Sequence, residues 1–136
     1  MAAMLVIGYG NPLRSDDGVG WRAAERLRGG EAEVVTVQQL TPELMEPISH
    51  ARRIVFIDAG VEGRPGEIRR RVVAADGGGG FTHHGSPEAL LAGARALYGS
   101  APEAVLYTIT GASFEFGERL SPEVEAALER LISELS

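Results

Sequence analysis

Short apolar runs recur along the chain and predict buried strands. The clearest are MLVIG (4–8), RIVFID (53–58) and AVLYTIT (104–110). EVVTVQQL (33–40) and GEIRRRVV (66–73) are also strand-like, and the arginines in the second are typical of a strand at the edge of a sheet. The hydrophobic pattern therefore predicts five strands in a mostly parallel sheet.

Between these runs, apolar residues recur at the spacing of one face of an α-helix. The predicted faces are formed by Val19, Ala23 and Leu27, by Leu90, Leu91, Ala94, Leu97 and Tyr98, and by Val124, Leu128, Leu131, Ile132 and Leu135. Strands that alternate with helices predict an α/β protein, here a three-layer α/β/α sandwich. No repeat or internal boundary interrupts the pattern, so residues 1–136 are predicted to form a single domain.

Three of the predicted helices share one chemistry at their start. The sequences TPE (41–43), SPE (86–88) and SPE (121–123) each place a hydroxyl residue before a proline and a glutamate. The hydroxyl can cap the helix, proline suits the first helical position, and glutamate favours the positive end of the helix dipole. Each hydroxyl residue is therefore predicted to be a helix cap.

Composition narrows the class of protein. Hydrophobic residues make up 44% of the chain and charged residues 24%, which is typical of a soluble globular protein. The net charge of −6 argues against a general nucleic-acid-binding protein. Cysteine is absent, which excludes disulfides, a thiolate nucleophile and iron–sulfur ligation by this chain. With no signal-peptide pattern and no segment near the roughly 18 apolar residues that cross a membrane, the sequence predicts a cytoplasmic protein.

The segment GYGNPLRSDDGVG (8–20) follows the first predicted strand and begins like a phosphate-binding turn. The dinucleotide motif G-x-G-x-x-G requires a third glycine, and this chain has Leu13 there. A P-loop lysine is also absent, and the adjacent Asp16 and Asp17 would repel a phosphate. The glycines are therefore interpreted as allowing a sharp turn, and the carboxylates as meeting a cation.

Other side chains with useful chemistry follow the ends of further predicted strands. Asp58 ends the third strand-like segment, and the glycine-rich loop before the first SPE motif contains His83 and His84. Because parallel strands end at one edge of a sheet, Asp58, one histidine and either Asp16 or Asp17 are predicted to surround a common point. Two carboxylates and an imidazole suit zinc or nickel. More ordinary roles remain open: a carboxylate at a helix start, a turn-stabilising aspartate and an incidental histidine pair.

These motifs resemble those of the [NiFe]-hydrogenase maturation proteases. That family opens with a strand and G-x-G-N-x-L-x-x-D-[DE]-G-x-G, and this chain has GYGNPLRSDDGVG. VFIDAGVEGRPGEI (55–68) matches the strand-end aspartate and Pro-Gly turn of the family, and THHGSPEALLAGARALYG (82–99) matches its histidine at the head of a helix. The tail GASFEFGERLSPEVEAAL (111–128) is also similar, so the resemblance covers nearly the whole chain. It implies a twisted sheet between helices.

The resemblance implies a hydrolase, an aspartyl-type endopeptidase that removes the C-terminal peptide of a [NiFe]-hydrogenase large-subunit precursor after nickel insertion. The metal-contacting residues of the family correspond here to Asp17, Asp58 and His83, with His84 as an alternative. Asp17 stands where the family often has the longer glutamate. Nickel would be carried by the substrate, with no permanent cofactor. Asp16 is a further candidate for the catalytic base, so Asp17, Asp58 and Asp16 form the predicted catalytic group.

Two other functions remain open on the sequence. The same ligands could serve a non-catalytic nickel-sensing or chaperone-like module, and no residue distinguishes the two. Peptidyl-tRNA hydrolases also begin with a strand and G-x-G-N-P, but their early histidine is missing here, where His50 is the first histidine, and the acidic charge does not suit tRNA. The predicted partner is therefore the hydrogenase precursor rather than a nucleic acid or a membrane.

Overall fold

A computed structural model describes residues 3–75 and 85–136 of the chain. All five predicted strands are present, and the second ends three residues earlier than expected, at Val37 rather than at position 40. Single 3-10 turns at Ser15–Gly18 and Pro42–Leu44 precede the first two helices. The elements follow in the order β1 (Met4–Tyr9), α1 (Val19–Leu27), β2 (Glu33–Val37), α2 (Met45–His50), β3 (Arg53–Gly60), β4 (Ile68–Val73), α3 (Pro87–Tyr98), β5 (Glu103–Thr110) and α4 (Pro122–Leu135).

The five strands form one sheet in the order β2-β1-β3-β5-β4. The first four strands in this order run parallel, whereas β4 pairs antiparallel with β5 at the edge. Neighbouring strands are in register, so that Ile7 is aligned with Phe56 and Asp58 with Thr108. This topology confirms the predicted α/β architecture with a mostly parallel five-stranded sheet.

Helices cover both faces of the sheet and produce the three layers. On one face, α2 and α3 pack over a cluster that includes Ile7 and Phe56. On the other face, α1 and α4 pack over a cluster that includes Val6 and Ile57. Consecutive strand residues are therefore buried on opposite sides, which is why these strands are recognisable as continuous apolar runs rather than as an alternating pattern.

All three hydroxyl residues occupy the predicted N-cap position, and one of them makes a capping hydrogen bond with its side chain. The Ser86 hydroxyl accepts a hydrogen bond from the Ala89 amide at 3.1 Å and caps α3. The Thr41 hydroxyl instead donates to the Glu43 carboxylate at 2.7 Å, and the Ser121 side chain makes no capping bond to α4. Thr41 and Ser121 occupy the predicted positions, each followed by proline and by a glutamate in the first turn, but the predicted capping hydrogen bond is absent because each hydroxyl is turned toward a carboxylate. The acceptor of Ser121 belongs to the site described below.

The apolar face of α3 is shorter than its spacing predicts. Leu90, Leu91 and Ala94 are buried, whereas Leu97 is 71% exposed and Tyr98 is 50% exposed. The last turn of α3 therefore does not contribute to the core. Within the residues that the structure describes, no helix is both long enough and apolar enough to span a membrane.

Two glycines allow α1 to lie directly against the sheet. A Cβ atom at Gly8 would lie 2.2 Å from the Gly20 carbonyl oxygen, and one at Gly20 would lie 2.1 Å from the Ile57 carbonyl oxygen. Both distances are far shorter than a van der Waals contact, so a larger residue would push α1 away from β1 and β3. Since the connection between β1 and α1 carries Asp16 and Asp17, this packing also determines where that connection lies.

Gly20→Ala is expected to lower the free energy of unfolding by about 2–3 kcal/mol, because a clash with backbone atoms cannot be relieved by rotating a side chain. Gly30→Ala is the matched control, since its Cβ would meet the Leu27 carbonyl oxygen at an ordinary 3.5 Å. Urea denaturation of the two variants measures the difference. Equal stability of the two would contradict the close-packing explanation.

Candidate functional site

The candidate site lies at the carboxyl edge of the sheet, where β1 and β3 end. These strands are parallel neighbours, with Gly8 aligned to Ile57. Tyr9 is the last residue of β1, and the turn 10–18 follows it. Asp58 lies near the end of β3. The turn that carries Asp17 and the strand that carries Asp58 thus meet at one edge of the sheet.

The turn folds tightly on itself and holds Asp17 through its own backbone. Gly10 has φ of 139°, and a Cβ atom there would lie 2.1 Å from the Asp17 carbonyl oxygen. The Asn11 amide donates a hydrogen bond to Asp17 Oδ2 at 2.8 Å, and the Asp17 amide donates to the Arg14 carbonyl oxygen at 3.0 Å. The carboxylate of Asp17, which is partly exposed, is therefore oriented by the main chain around it.

Asp58 is partly buried, and its pKa is raised to about 7. The largest cause is the loss of solvent around the carboxylate. The neighbouring Ala59 amide lowers the pKa, the negative charge of Asp17 raises it further, and the nearby Tyr9 hydroxyl lowers it. Asp17 is therefore near enough to Asp58 for the two charges to interact.

Tyr9 completes this group, and the sequence motifs did not single it out. Its ring packs edge-on against Phe56, with ring centroids 6.5 Å apart. Burial and the charge of Asp58 raise the pKa of Tyr9 far above its usual value, so the hydroxyl stays protonated and able to donate. A signal was present in the sequence, because Tyr9 has the same strand parity as Leu5 and Ile7, which face one side of the sheet.

Asp16 is adjacent to Asp17 but has a different environment. It is fully buried, and its carboxylate accepts hydrogen bonds of 2.7–3.0 Å from the amides of Ala112, Ser113 and Ser121 and from the Ser121 hydroxyl. Burial acts to raise the pKa of Asp16, but these hydrogen bonds outweigh it and hold the pKa below its usual value. A catalytic role for Asp16 stays a prediction, and its saturated hydrogen bonding favours a structural role.

His83 and His84, the predicted third ligand and its alternative, lie outside the described residues. Across 3–75 and 85–136, no group of three or more His, Asp or Glu side chains is arranged to hold a metal ion. The start of α3, which follows the two histidines, is nevertheless close to the site, since the charge of Glu88 contributes to the raised pKa of Tyr9. The structure therefore brings Asp17 and Asp58 together, and the histidine ligand stays a prediction.

Two surface cavities lie near this region. A groove of about 1130 Å³ runs between α1 and α4, with Trp21 in its wall, and neither Asp17 nor Asp58 lines it. A smaller cavity of about 470 Å³ includes Ala59, the residue after Asp58, and Thr108, the residue aligned with Asp58 on β5. The smaller cavity is the one that adjoins the candidate site.

Several solved structures share this fold, although no family model and no curated protein matches the chain. The hydrogenase maturating endopeptidase HybD from E. coli is 25% identical with a TM-score of 0.79, and the match covers 99% of this chain and 90% of that one. The hydrogenase 2 maturation peptidase from Thaumarchaeota archaeon SCGC_AB-539-E09 is also 25% identical, with a TM-score of 0.74 and coverage of 97% and 94%. For the [NiFe] hydrogenase maturation protease HycI from Thermococcus kodakarensis KOD1, identity is 23%, the TM-score is 0.76, and coverage is 98% and 90%.

The chain resembles the hydrogenase maturation endopeptidases. This confirms the resemblance that the sequence motifs carry, and it extends over nearly the full length of the chain.

The carboxylates of Asp17 and Asp58 are expected to reduce the stability of the protein when no metal is bound. In EDTA at pH 8, Asp58→Asn is expected to raise the free energy of unfolding by roughly 1–2 kcal/mol, because it removes a partly desolvated charge that faces Asp17. Glu31→Gln, at an exposed position between α1 and β2, is the control and should change stability by less than about 0.5 kcal/mol. Urea denaturation measures both, and an Asp58→Asn protein less stable than wild type would contradict this account.

Proposed function

We propose that this protein is an endopeptidase of hydrogenase maturation, which removes the C-terminal extension of a [NiFe]-hydrogenase large-subunit precursor after nickel insertion. The observation that carries the proposal is the meeting of Asp17 and Asp58 at one edge of a sheet with the fold of the hydrogenase maturation endopeptidases. Two carboxylates that repel each other favour a cation between them, and nickel already bound to the precursor would supply that cation.

Nickel in this proposal is part of the substrate, and the chain recognises it. Asp17, Asp58 and His83, or His84 in its place, would contact the metal, since carboxylates and imidazole are suitable ligands for nickel. Among the described residues, the Asn11 amide holds one oxygen of Asp17 and so presents the carboxylate without occupying both oxygens. The protein would need no permanent cofactor of its own.

The reaction requires a water molecule to attack the scissile carbonyl and to lose a proton as it does so. A metal at this position can polarise the carbonyl or the water. We assign the proton to the Asp58 oxygen that does not contact nickel, and the same proton would pass to the amine nitrogen that leaves as the C–N bond breaks. The Tyr9 hydroxyl would donate a hydrogen bond to the same carboxylate and keep it oriented. Asp17 would serve as a ligand and hold the precursor in place.

The cavity beside Asp58 suits an extended segment of the precursor. Its volume is about 470 Å³, and its walls include Gly60 and Thr108 together with Arg69 and Arg71 from the edge strand. The C-terminal extension would lie in this cavity, which would place the bond to be cut next to Asp58.

Incubation with a nickel-loaded precursor tests the activity directly. We expect intact-mass spectrometry to show loss of the C-terminal peptide when nickel is present and no loss from the nickel-free precursor. If folded protein leaves the peptide intact on every competent large-subunit precursor, the non-catalytic nickel-binding module becomes the better description.

Substitutions of the proposed ligands test the assignment of the site. Asp17→Asn and Asp58→Asn are each expected to lower the rate of cleavage by more than about 100-fold while the circular dichroism spectrum stays that of the wild type. His83→Ala and His84→Ala, compared side by side, identify the histidine ligand as the one whose loss has the larger effect. Glu31→Gln serves as the control. Normal cleavage by all four site variants would contradict the assignment.

A further inference from the structure

The hydroxyl of Ser121 makes a hydrogen bond that its position before α4 does not predict. Ser121 immediately precedes α4, where the SPE motif predicts a helix cap of the kind that Ser86 provides for α3. Both the hydroxyl and the amide of Ser121 instead donate to the Asp16 carboxylate, each at 2.7 Å. The start of α4 is therefore attached to the turn that carries the candidate site.

Further hydrogen bonds join the same two segments. The Asp16 carboxylate also accepts from the amides of Ala112 and Ser113, at 2.8 and 3.0 Å. The Asp16 amide donates in return to the Ser113 carbonyl oxygen at 3.0 Å. We refer to the four hydrogen bonds that the Asp16 carboxylate accepts from Ala112, Ser113 and Ser121 as the clamp.

The turn has a backbone conformation that is unusual for its residues, and contacts beyond the clamp also hold it. Ser15 has φ of 51°, which residues other than glycine seldom adopt. Its hydroxyl donates to the Glu115 carbonyl oxygen at 2.7 Å, and its amide donates to the Gly117 carbonyl oxygen at 2.7 Å. At Gly111, an added Cβ would lie 2.9 Å from the Asp16 Cβ, so the end of β5 packs directly on the turn. The turn is thus fixed from several sides by the loop 111–121.

The clamp can oppose the electrostatic repulsion between the carboxylates of Asp17 and Asp58. Asp17 and Asp58 are near enough for their charges to interact, and like charges separate unless they are held. Within the described part of the chain, the Asp17 carboxylate is held by one hydrogen bond, from the Asn11 amide. The neighbouring Asp16 carboxylate is held by four. The side chain of Asp16 therefore restrains the turn more strongly than the side chain of Asp17 does.

We propose that Asp16 and Ser121 are positioning residues that hold Asp17 opposite Asp58 for metal binding. This inference rests on the proposed function, since it takes Asp17 and Asp58 as the residues that contact nickel. Asp16 and Ser121 touch neither the metal nor the substrate in this arrangement, and they act through the turn 15–18. Residues that orient a metal ligand in this way typically change metal affinity by about 10- to 100-fold when they are replaced.

Ser121→Ala tests the proposal, because it removes one hydroxyl and leaves the other three hydrogen bonds of the clamp in place. The metal-free variant is titrated with Ni²⁺ alone, and binding is followed by paramagnetic broadening of its NMR signals. We expect Ni²⁺ to bind about 10- to 100-fold more weakly than to the wild type. Amide hydrogen exchange of Ala112 and Ser113 is expected to become faster. Ser121→Thr keeps the hydroxyl and is expected to restore Ni²⁺ affinity.

Two control variants separate positioning from a general loss of stability. Ser49→Ala removes a hydroxyl that donates to the Glu46 carbonyl oxygen on α2, away from the clamp. Ile48→Val removes one methyl group from the core, and its Tm is compared with that of Ser121→Ala. Both controls are expected to bind Ni²⁺ like the wild type. If Ile48→Val weakens Ni²⁺ binding as much as Ser121→Ala for the same loss of Tm, the positioning role is overturned.

Failure of this inference is distinguishable from failure of the proposed function. If Asp17→Asn and Asp58→Asn bind Ni²⁺ as the wild type does, the metal site itself is wrong and the positioning role falls with it. If both lose binding while Ser121→Ala retains the affinity of the wild type, the metal site stands and the positioning role alone is overturned.

Discussion

Contact between the backbone of α1 and the backbone of the sheet is the constraint on which the candidate site depends. Gly8 and Gly20 remove the side chains that would otherwise separate the helix from β1 and β3. With α1 so close, the turn 10–18 has to reverse direction within a short distance, and Gly10 supplies the positive φ that this reversal requires. The glycines of the motif that resembles a nucleotide-binding turn therefore allow α1 to pack closely on the sheet. The motif positions a carboxylate at the edge of the sheet, where a nucleotide-binding turn would hold a phosphate.

The adjacent residues Asp16 and Asp17 show how one side-chain type takes two roles in a single turn. Asp16 is fully buried, yet four hydrogen bonds keep its charged form favourable and lower its pKa. Asp58, across the edge of the sheet, loses solvent without equal compensation, and its pKa rises. Desolvation acts on both carboxylates, but hydrogen bonds outweigh it at Asp16, whereas the negative charge of Asp17 adds to it at Asp58. A satisfied carboxylate stabilises the fold, whereas an unsatisfied one is available for a ligand.

Much of the fold was predictable from the sequence because the signals that specify it are local. The strands are buried on both faces and so appear as apolar runs, and the parallel arrangement places their ends at one edge. Asp17 and Asp58 could be assigned to that edge for the same reason. The Ser121 cap could not be predicted correctly, because its hydroxyl is taken by Asp16, which is 105 positions away in sequence. The alternation along β1 indicates the face on which Tyr9 lies, but its role was missed because it depends on the burial of Asp58 on another strand, which no pattern within β1 expresses.

The β4 edge of the sheet carries consecutive arginines, which affect how two copies of the protein can approach each other. β4 pairs with β5 on one side, and three consecutive arginines, Arg69, Arg70 and Arg71, are exposed along it. Because alternate residues of a strand point to opposite faces, guanidinium groups flank this edge both above and below the sheet. A second copy that approached to extend the sheet would have to strip water from these charged side chains, of which Arg69 pairs with Glu62 and Glu67 and Arg71 pairs with Glu88. Association of two copies through β4, the kind of exposed edge strand through which sheets most readily aggregate, is therefore disfavoured at high protein concentration.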